Sequence, residues 1–369
     1  MFKAKIKSVV AIDPERTAVR FFVLDTAAEN GYRQDRIGFF AKPTEDNYFT
    51  ELQALLTKYR EENPQFPTEE VTLLFPDEWF ISDYIAIPTA GKKAMKNDLA
   101  VATEALYKNV KQLIFHNFVL TQDKNSTVYS LIGIRTELLT RFYGAFSGAG
   151  YAVKNATFRA NAAVNGAISV NPKLGAASYL LMDIGRRSTR LIFVIKGKTK
   201  GWYSLPFGYA VLSKTAPVDE KSLFDHSAAE LLVLNAKETA RAKQLTQAIE
   251  PTAQEETDEE DGAETNEIAL AQAADERENI AYENFRIFMK WALELITRNG
   301  DITAHGTPEA IYVNMPSEYG YLLEKANLEI EENKHRFVGL GAKADGVAER
   351  ALALYGGLFA AQHNKVNNF

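Results

Sequence analysis

The sequence predicts an α/β protein made of two related halves, and three observations carry that expectation. Short apolar runs bounded by turn residues occur in two groups, one starting at Lys7 and one at Tyr179, and runs of this length read as buried strands. Each group has an aspartate at its first bend, Asp13 and Asp183, 170 residues apart. Helical stretches follow each group, so strands and helices alternate along the whole chain.

In the first group, Lys7 to Ile12 and Val19 to Leu24 flank Asp13-Pro14-Glu15-Arg16-Thr17, where proline and polar residues suit a tight hairpin turn. Ile37 to Phe40 is a third strand by composition. Tyr48 to Tyr59 has helical spacing, with Phe49, Leu52, Leu55 and Leu56 on one face, and Asn63-Pro64 stops it. Val71 to Phe75 and Trp79 to Ile87 read as strands. A different texture runs from about 88 to 151. It holds a helix over Lys92 to Tyr107, strands over Phe115 to Thr121 and Thr127 to Ile134, and a helix over Thr136 to Ala149. That last helix has Thr136 as its expected N-cap and Gly148 and Gly150 at its end. An alanine-rich helix from Arg159 to Ile168 then leads through Asn171-Pro172 to the second group.

The second group is a three-stranded meander: Tyr179 to Met182, Leu191 to Ile195 and Trp202 to Phe207, with Lys196-Gly197-Lys198 as a turn. Its first bend reads Asp183-Ile184-Gly185-Arg186-Arg187-Ser188-Thr189. Asp183 has the chemistry to hold a hydrated Mg²⁺. Gly185 lacks a Cβ and lets a phosphate near the backbone, and the Ser188 and Thr189 hydroxyls are candidate donors to phosphate oxygens. The same residues suit a plain hairpin whose aspartate opens a turn. Beyond it, Val218 to Gln247 is mostly helical in pattern. Residues 250–267 contain nine acids and no Lys or Arg, and such composition predicts a disordered acidic loop over 250–276. Ile280 to Thr297 is an amphipathic helix, Ala310 to Val313 a strand running into Asn314-Met315-Pro316, and Val347 to Ala361 a final helix.

Composition narrows the function. The 369 residues are 46% hydrophobic and 24% charged, which fits a globular chain with a large core. Taking the nine acids of 250–267 from the net charge of −6 leaves the rest of the chain at +3. The absence of cysteine excludes disulfides and cysteine nucleophiles. None of the five histidines pairs at i, i+4, so a zinc-peptidase pattern is absent. No apolar run approaches the roughly 20 residues that span a bilayer, and the charged start of the chain lacks a signal-peptide pattern, so a cytoplasmic location is expected. The pI of about 5.6 and the scattered aromatics argue against nucleic acid.

The order and spacing of these segments resemble the type IV pilus assembly protein PilM family of the actin-like ATPase superfamily, and next to it FtsA. Ser8 to Arg20 (SVVAIDPERTAVR) stands where the family has its first phosphate loop. Ile81 to Pro88 (ISDYIAIP) resembles a family strand ending in Leu-Pro, Thr127 to Phe158 the insertion, and Ser178 to Gly208 the second phosphate loop. Glu230 to Lys243 is similar to a helix rich in Ala, Glu and Lys.

The resemblance implies an actin-like, ribonuclease H-like duplicated fold with an FtsA/PilM-type α+β insertion. The first subdomain would be 1–87 and 152–172 with the final helix in 346–369, and the insertion 88–151. The second subdomain would be 173–212 and 280–345, with a second-half insertion at 213–279. It also implies a nucleotide cleft lined by Asp13, Arg16, Thr17, Asp183, Gly185, Arg186, Arg187, Ser188, Thr189 and Asn314. Asp183 and Asp13 would face Mg²⁺ if nucleotide binds. Two departures stand out. Glu15 replaces the glycine of the first loop, and Met315-Pro316 replaces the glycine pair under adenosine. The expectation is therefore a pseudo-ATPase with no catalytic residues and no cofactor. Its expected role is a cytoplasmic scaffold at the inner face of the membrane, docked on the cytoplasmic tail of a PilN-like protein and on other pilus assembly components, with no nucleic acid and no direct membrane contact. The alternatives are an ATP- and Mg²⁺-dependent ATPase or kinase, for which no catalytic base is identifiable, and an FtsA-like filament former. The latter needs an amphipathic C-terminus, and Gln362 to Phe369 is too short and polar for that.

Overall fold

The computed structural model describes residues 8–12, 18–24, 32–38, 47–107, 109–220, 223, 262–298, 308, 310–329, 335–340 and 346–358. The first half begins with β1 (Ser8–Ile12), β2 (Ala18–Leu24), β3 (Tyr32–Gly38), α1 (Tyr48–Glu62) and β4 (Val71–Phe75). An insertion follows: β5 (Phe80–Pro88), α2 (Lys92–Leu106), β6 (Leu113–Gln122) and β7 (Ser126–Arg135). The chain returns through α3 (Thr136–Gly148), β8 (Val153–Phe158) and α4 (Arg159–Val170). The second half holds β9 (Tyr179–Ile184), β10 (Thr189–Ile195), β11 (Lys198–Leu205), α5 (Gly262–Arg298), β12 (Ala310–Asn314), α6 (Tyr321–Glu329), β13 (Arg336–Gly339) and α7 (Gly346–Gly357).

Duplication is visible in the sheets. The first has the order β3-β2-β1-β4-β8 and the second β11-β10-β9-β12-β13. In both, the first three strands are an antiparallel meander, and the two further strands run parallel to the meander's first strand. β1, β4 and β9 are buried at every position, as their largely apolar runs suit for central strands covered on both faces. The turn from β10 to β11 uses Lys196 and Gly197 at φ 50° and 71°, the pair of positive φ values that a two-residue hairpin demands. A Cβ on Gly197 would also stand 2.2 Å from the Gly175 carbonyl oxygen.

Several elements differ from the sequence expectation. The third strand is Tyr32–Gly38, earlier than Ile37 to Phe40, and its polar residues suit an exposed edge. β5, which a boundary at 88 assigns to the first half, pairs with β7 in the three-stranded β5-β7-β6 sheet and so belongs to the insertion. Thr136 is the first helical residue of α3, not its cap; Arg135 holds that position without a side-chain hydrogen bond. The expected disorder of 250–276 does not hold from Gly262 onward, where α5 begins. That stretch is rich in Ala and Glu, which are strong helix formers. Residues 250–261, most of 218–247, and the first bend 13–17 lie outside the described residues.

The first half's core lies between the first sheet and α1, α3 and α4. α5 buries Phe285, Phe288, Met289, Ala292 and Ile296 against the second sheet. Each fully buried large apolar side chain there contributes about 1.5–3 kcal/mol. α7 lies along α4 and against β1 and β4, so the last described helix closes the first half.

Candidate functional site

In open α/β sheets, ligands bind beyond the carboxyl ends of the strands where the strand order reverses. Here the ends of β1 and β4 in one half, and of β9 and β12 in the other, contribute to one buried polar cluster. Asp183, one residue before the end of β9, lies opposite Arg190 of β10 and beside Asn314, the last residue of β12. Asn314 Nδ2 donates to Asp183 Oδ1 at 2.9 Å, and Arg190 Nη1 donates to Asp183 Oδ2 at 3.3 Å. The same guanidinium reaches the first half. Its Nε donates to Asp77 Oδ2 at 2.7 Å, and Asp77 stands in the turn just after β4.

Asp77 also serves α4. Its Oδ1 accepts the Ala160 backbone N–H at 2.7 Å, one of the unpaired amides at that helix's N-terminus. The partial positive charge there favours an anion, and a carboxylate of this chain supplies it. The neighbouring Arg159 donates from Nη2 to the carbonyl oxygen of Ile12 at 2.8 Å, tying α4 to the end of β1. Asp77, Asp183 and Asn314 are each 5% exposed or less. Burial alone depresses the Arg190 guanidinium. The Asp77 and Asp183 carboxylates outweigh that and hold its pKa above the ordinary arginine value. Arg190 is therefore a fixed positive charge between two buried acids.

The second loop is closed on itself. The Gly185 N–H donates to the Ser188 carbonyl at 3.0 Å, and its carbonyl accepts from Tyr209 N–H at 2.9 Å. The Arg186 carbonyl accepts from Ala210 N–H at 3.2 Å. Gly208 presses on this turn so tightly that a Cβ there would meet the Gly185 oxygen at 2.0 Å. Thr189 is fully buried, and its hydroxyl donates to the Phe207 carbonyl at 2.9 Å, so it serves the loop rather than facing outward. Ser188 is half-buried, and Arg186 and Arg187 are exposed. Met315 and Pro316, at the position the resemblance gives to adenosine, are buried. The Tyr209 and Tyr319 rings pack 6.2 Å apart between the two segments that carry these residues.

Of the residues singled out by sequence, Asp183, Arg186, Arg187, Gly185, Ser188 and Thr189 share the one loop, and Asn314 joins Asp183 there. Asp13, Arg16 and Thr17 lie outside the described residues. Sequence reasoning missed Asp77 and Arg190. A usable signal existed for each: Asp77 follows the mostly apolar run Val71 to Phe75 through Pro76, and Arg190 is the lone charge in the run Thr189 to Ile195.

No family model matches this chain, and no curated protein matches it. Solved structures do. A chain of the PilM–PilN type IV pilus biogenesis complex matches with a TM-score of 0.54 at 12% identity, covering 96% of this chain and 98% of that one. A Bacteroides thetaiotaomicron protein with an actin-like ATPase fold and unknown function matches at 0.36 and 8% identity, covering 96% of each chain. The cytoplasmic domain of EpsL, an inner-membrane component of the type II secretion system of Vibrio cholerae, matches at 0.36 and 12% identity, over 57% of this chain and 74% of that one. The chain has the actin-like fold; the first of these matches and the duplicated sheet order carry that assignment.

Proposed function

We propose that this chain is a PilM-like scaffold of a type IV pilus or related secretion assembly. It docks the cytoplasmic tail of a PilN-like inner-membrane protein, sits at the inner face of that membrane through its partner, and binds ATP weakly or not at all. The observation that carries the reading is the end-to-end likeness to a chain of the PilM–PilN complex, which covers insertion and halves alike. No described helix is long and apolar enough to cross a membrane, which fits attachment through a partner.

The docking surface we assign lies on the first half, over α1, α3 and the turn that leads into the insertion. Phe142 of α3 packs on Phe49 of α1 at 5.0 Å and on Trp79 of the turn before β5 at 5.6 Å. Phe49, Trp79, Leu138 and Tyr143 there are only partly buried. They offer apolar anchors to an extended or helical segment.

Weak nucleotide binding is supported by the self-closed second loop, the buried Met315-Pro316 and the engagement of both Asp183 oxygens. Loss of two charge-assisted contacts, at about 1.5–3 kcal/mol each, weakens a ligand on the order of a hundredfold or more.

Affinity capture from membrane extracts tests the scaffold reading. Recovery of an inner-membrane pilus or secretion component is expected. Recovery of soluble metabolic enzymes, with no such component under conditions that preserve complexes, overturns it. Calorimetry tests the nucleotide reading separately. No ATP·Mg²⁺ binding is expected at tens of micromolar protein; a Kd below about 10 μM, abolished by Asp183→Ala, restores an ATP-dependent enzyme.

A further inference from the structure

We propose that Arg190 is the resident cation of the cleft floor. Its guanidinium takes the seat between Asp77 and Asp183 that a divalent cation would otherwise fill, and it joins the two halves through side chains. Arg190 is thus the residue that sets what this carboxylate pair accepts.

The argument starts from charge. Two buried carboxylates are tolerated only when paired and hydrogen-bonded. Each of the four oxygens has its own donor: Ala160 N–H and Arg190 Nε on Asp77, Asn314 Nδ2 and Arg190 Nη1 on Asp183. Two of those donors, Ala160 N–H and Asn314 Nδ2, are uncharged, and the full positive charge among them is the Arg190 guanidinium, which supplies the other two. A Mg²⁺ or Ca²⁺ ion entering the cluster would bind carboxylate oxygens already engaged by that charge, at close range and in low dielectric, where like charges repel strongly. Removing the guanidinium reverses the situation. It leaves two buried acids facing one space, and hard cations with oxygen ligands are the species such a space prefers.

Connectivity gives the second part. Asp77 belongs to the first half; Arg190, Asp183 and Asn314 belong to the second. The guanidinium is a cross-half link made from side chains alone. This inference stands on the cluster and not on partner docking, and its test is read without any partner.

The test uses the full chain and Mn²⁺ as the probe, followed by electron paramagnetic resonance of the free ion and by thermal melting with and without Mg²⁺. The wild type should bind only the background Mn²⁺ that the acidic stretch contributes to every variant, and its melting temperature should not respond specifically to Mg²⁺. Arg190→Ala should melt lower, bind one further Mn²⁺ per chain, and regain part of its melting temperature with millimolar Mg²⁺. Asp183→Asn added to Arg190→Ala should remove the extra ion. Arg190→Lys, which keeps a positive charge, should not gain it. If Arg190→Ala does not accumulate folded, Arg190→Gln is read the same way, since glutamine is neutral and fills more of the space. A wild-type Mn²⁺ site lost in Asp183→Asn overturns the proposal. So does a folded Arg190→Ala or Arg190→Gln with no added ion and no response to Mg²⁺.

Discussion

Gly356 of α7 should be the least replaceable glycine of the helix pair it forms with α4. An ideal Cβ at Gly356 would stand 1.7 Å from the Ala162 carbonyl oxygen and 2.5 Å from the Gly166 nitrogen, both backbone atoms of α4. Neither can rotate away, so the helices must part by more than 1 Å, taking with them Gly166, whose own Cβ position lies 2.7 Å from the Leu352 oxygen. Overpacking of a tight core typically costs about 1–3 kcal/mol, and contact with rigid backbone belongs at or above the top of that range. Alanine recovers about 1 kcal/mol of helix propensity. Gly356→Ala should therefore lose about 2 kcal/mol or more in urea denaturation. The paired control is Gly144 in α3, where an added Cβ meets nothing within 4 Å. There only the propensity gain of about 0.5–1 kcal/mol remains, so Gly144→Ala should stabilise. If Gly356→Ala is as stable as the parent while Gly144→Ala behaves as expected, the close α4–α7 approach is not what holds this seam.

Other outcomes follow from the same contacts. Asp77→Ala strips a buried guanidinium of one partner and α4 of an acceptor at its N-terminus; breaking such a pair costs about 3–5 kcal/mol, and a loss below about 1 kcal/mol on denaturation would mean the cluster is hydrated. In a double-mutant cycle, Asp77→Ala and Arg190→Ala should cost less together than their separate losses predict, because they share one interaction. In the β6–β7 turn, Asp123 Oδ1 accepts the Ser126 and Asn125 N–H groups at 2.7 Å each, which holds its carboxyl below the ordinary aspartate value. Its folded pKa lies below its unfolded one, so its contribution is present above about pH 4 and fades as pH falls through the folded pKa. An NMR titration of Asp123 with a midpoint at or above the ordinary value would contradict this geometry.

What the sequence by itself determined is the set of elements whose local pattern and final environment agree. β1, β4 and β9 are largely apolar runs and end up central and buried; α2, α3 and α4 announce themselves by spacing and start within a residue of expectation. The duplicated order was legible for the same reason, since two meanders with an aspartate at the bend are a local signal repeated. Elements whose residues face two environments were not legible. β8 (Val153–Phe158) carries Lys154 and Asn155 in its first half and is buried only from Ala156 on, and β13 has four residues with one buried, so neither shows a period that distinguishes strand from loop. The start of α5 was hidden by acids that predict disorder as strongly as alanines predict helix. The cleft floor was the least visible. Asp183 and Gly185 could be picked out because one loop carries both, and the sequence suggested a phosphate and a metal for them. Only tertiary structure brings Asp77 to Arg190, 113 positions away, and only the pairing of β9, β10 and β12 sets Arg190 and Asn314 on either side of Asp183. A carboxylate's chemistry is fixed by its residue type, but whether it faces a free cation or a guanidinium of its own chain depends on long-range pairing, which sequence pattern does not encode.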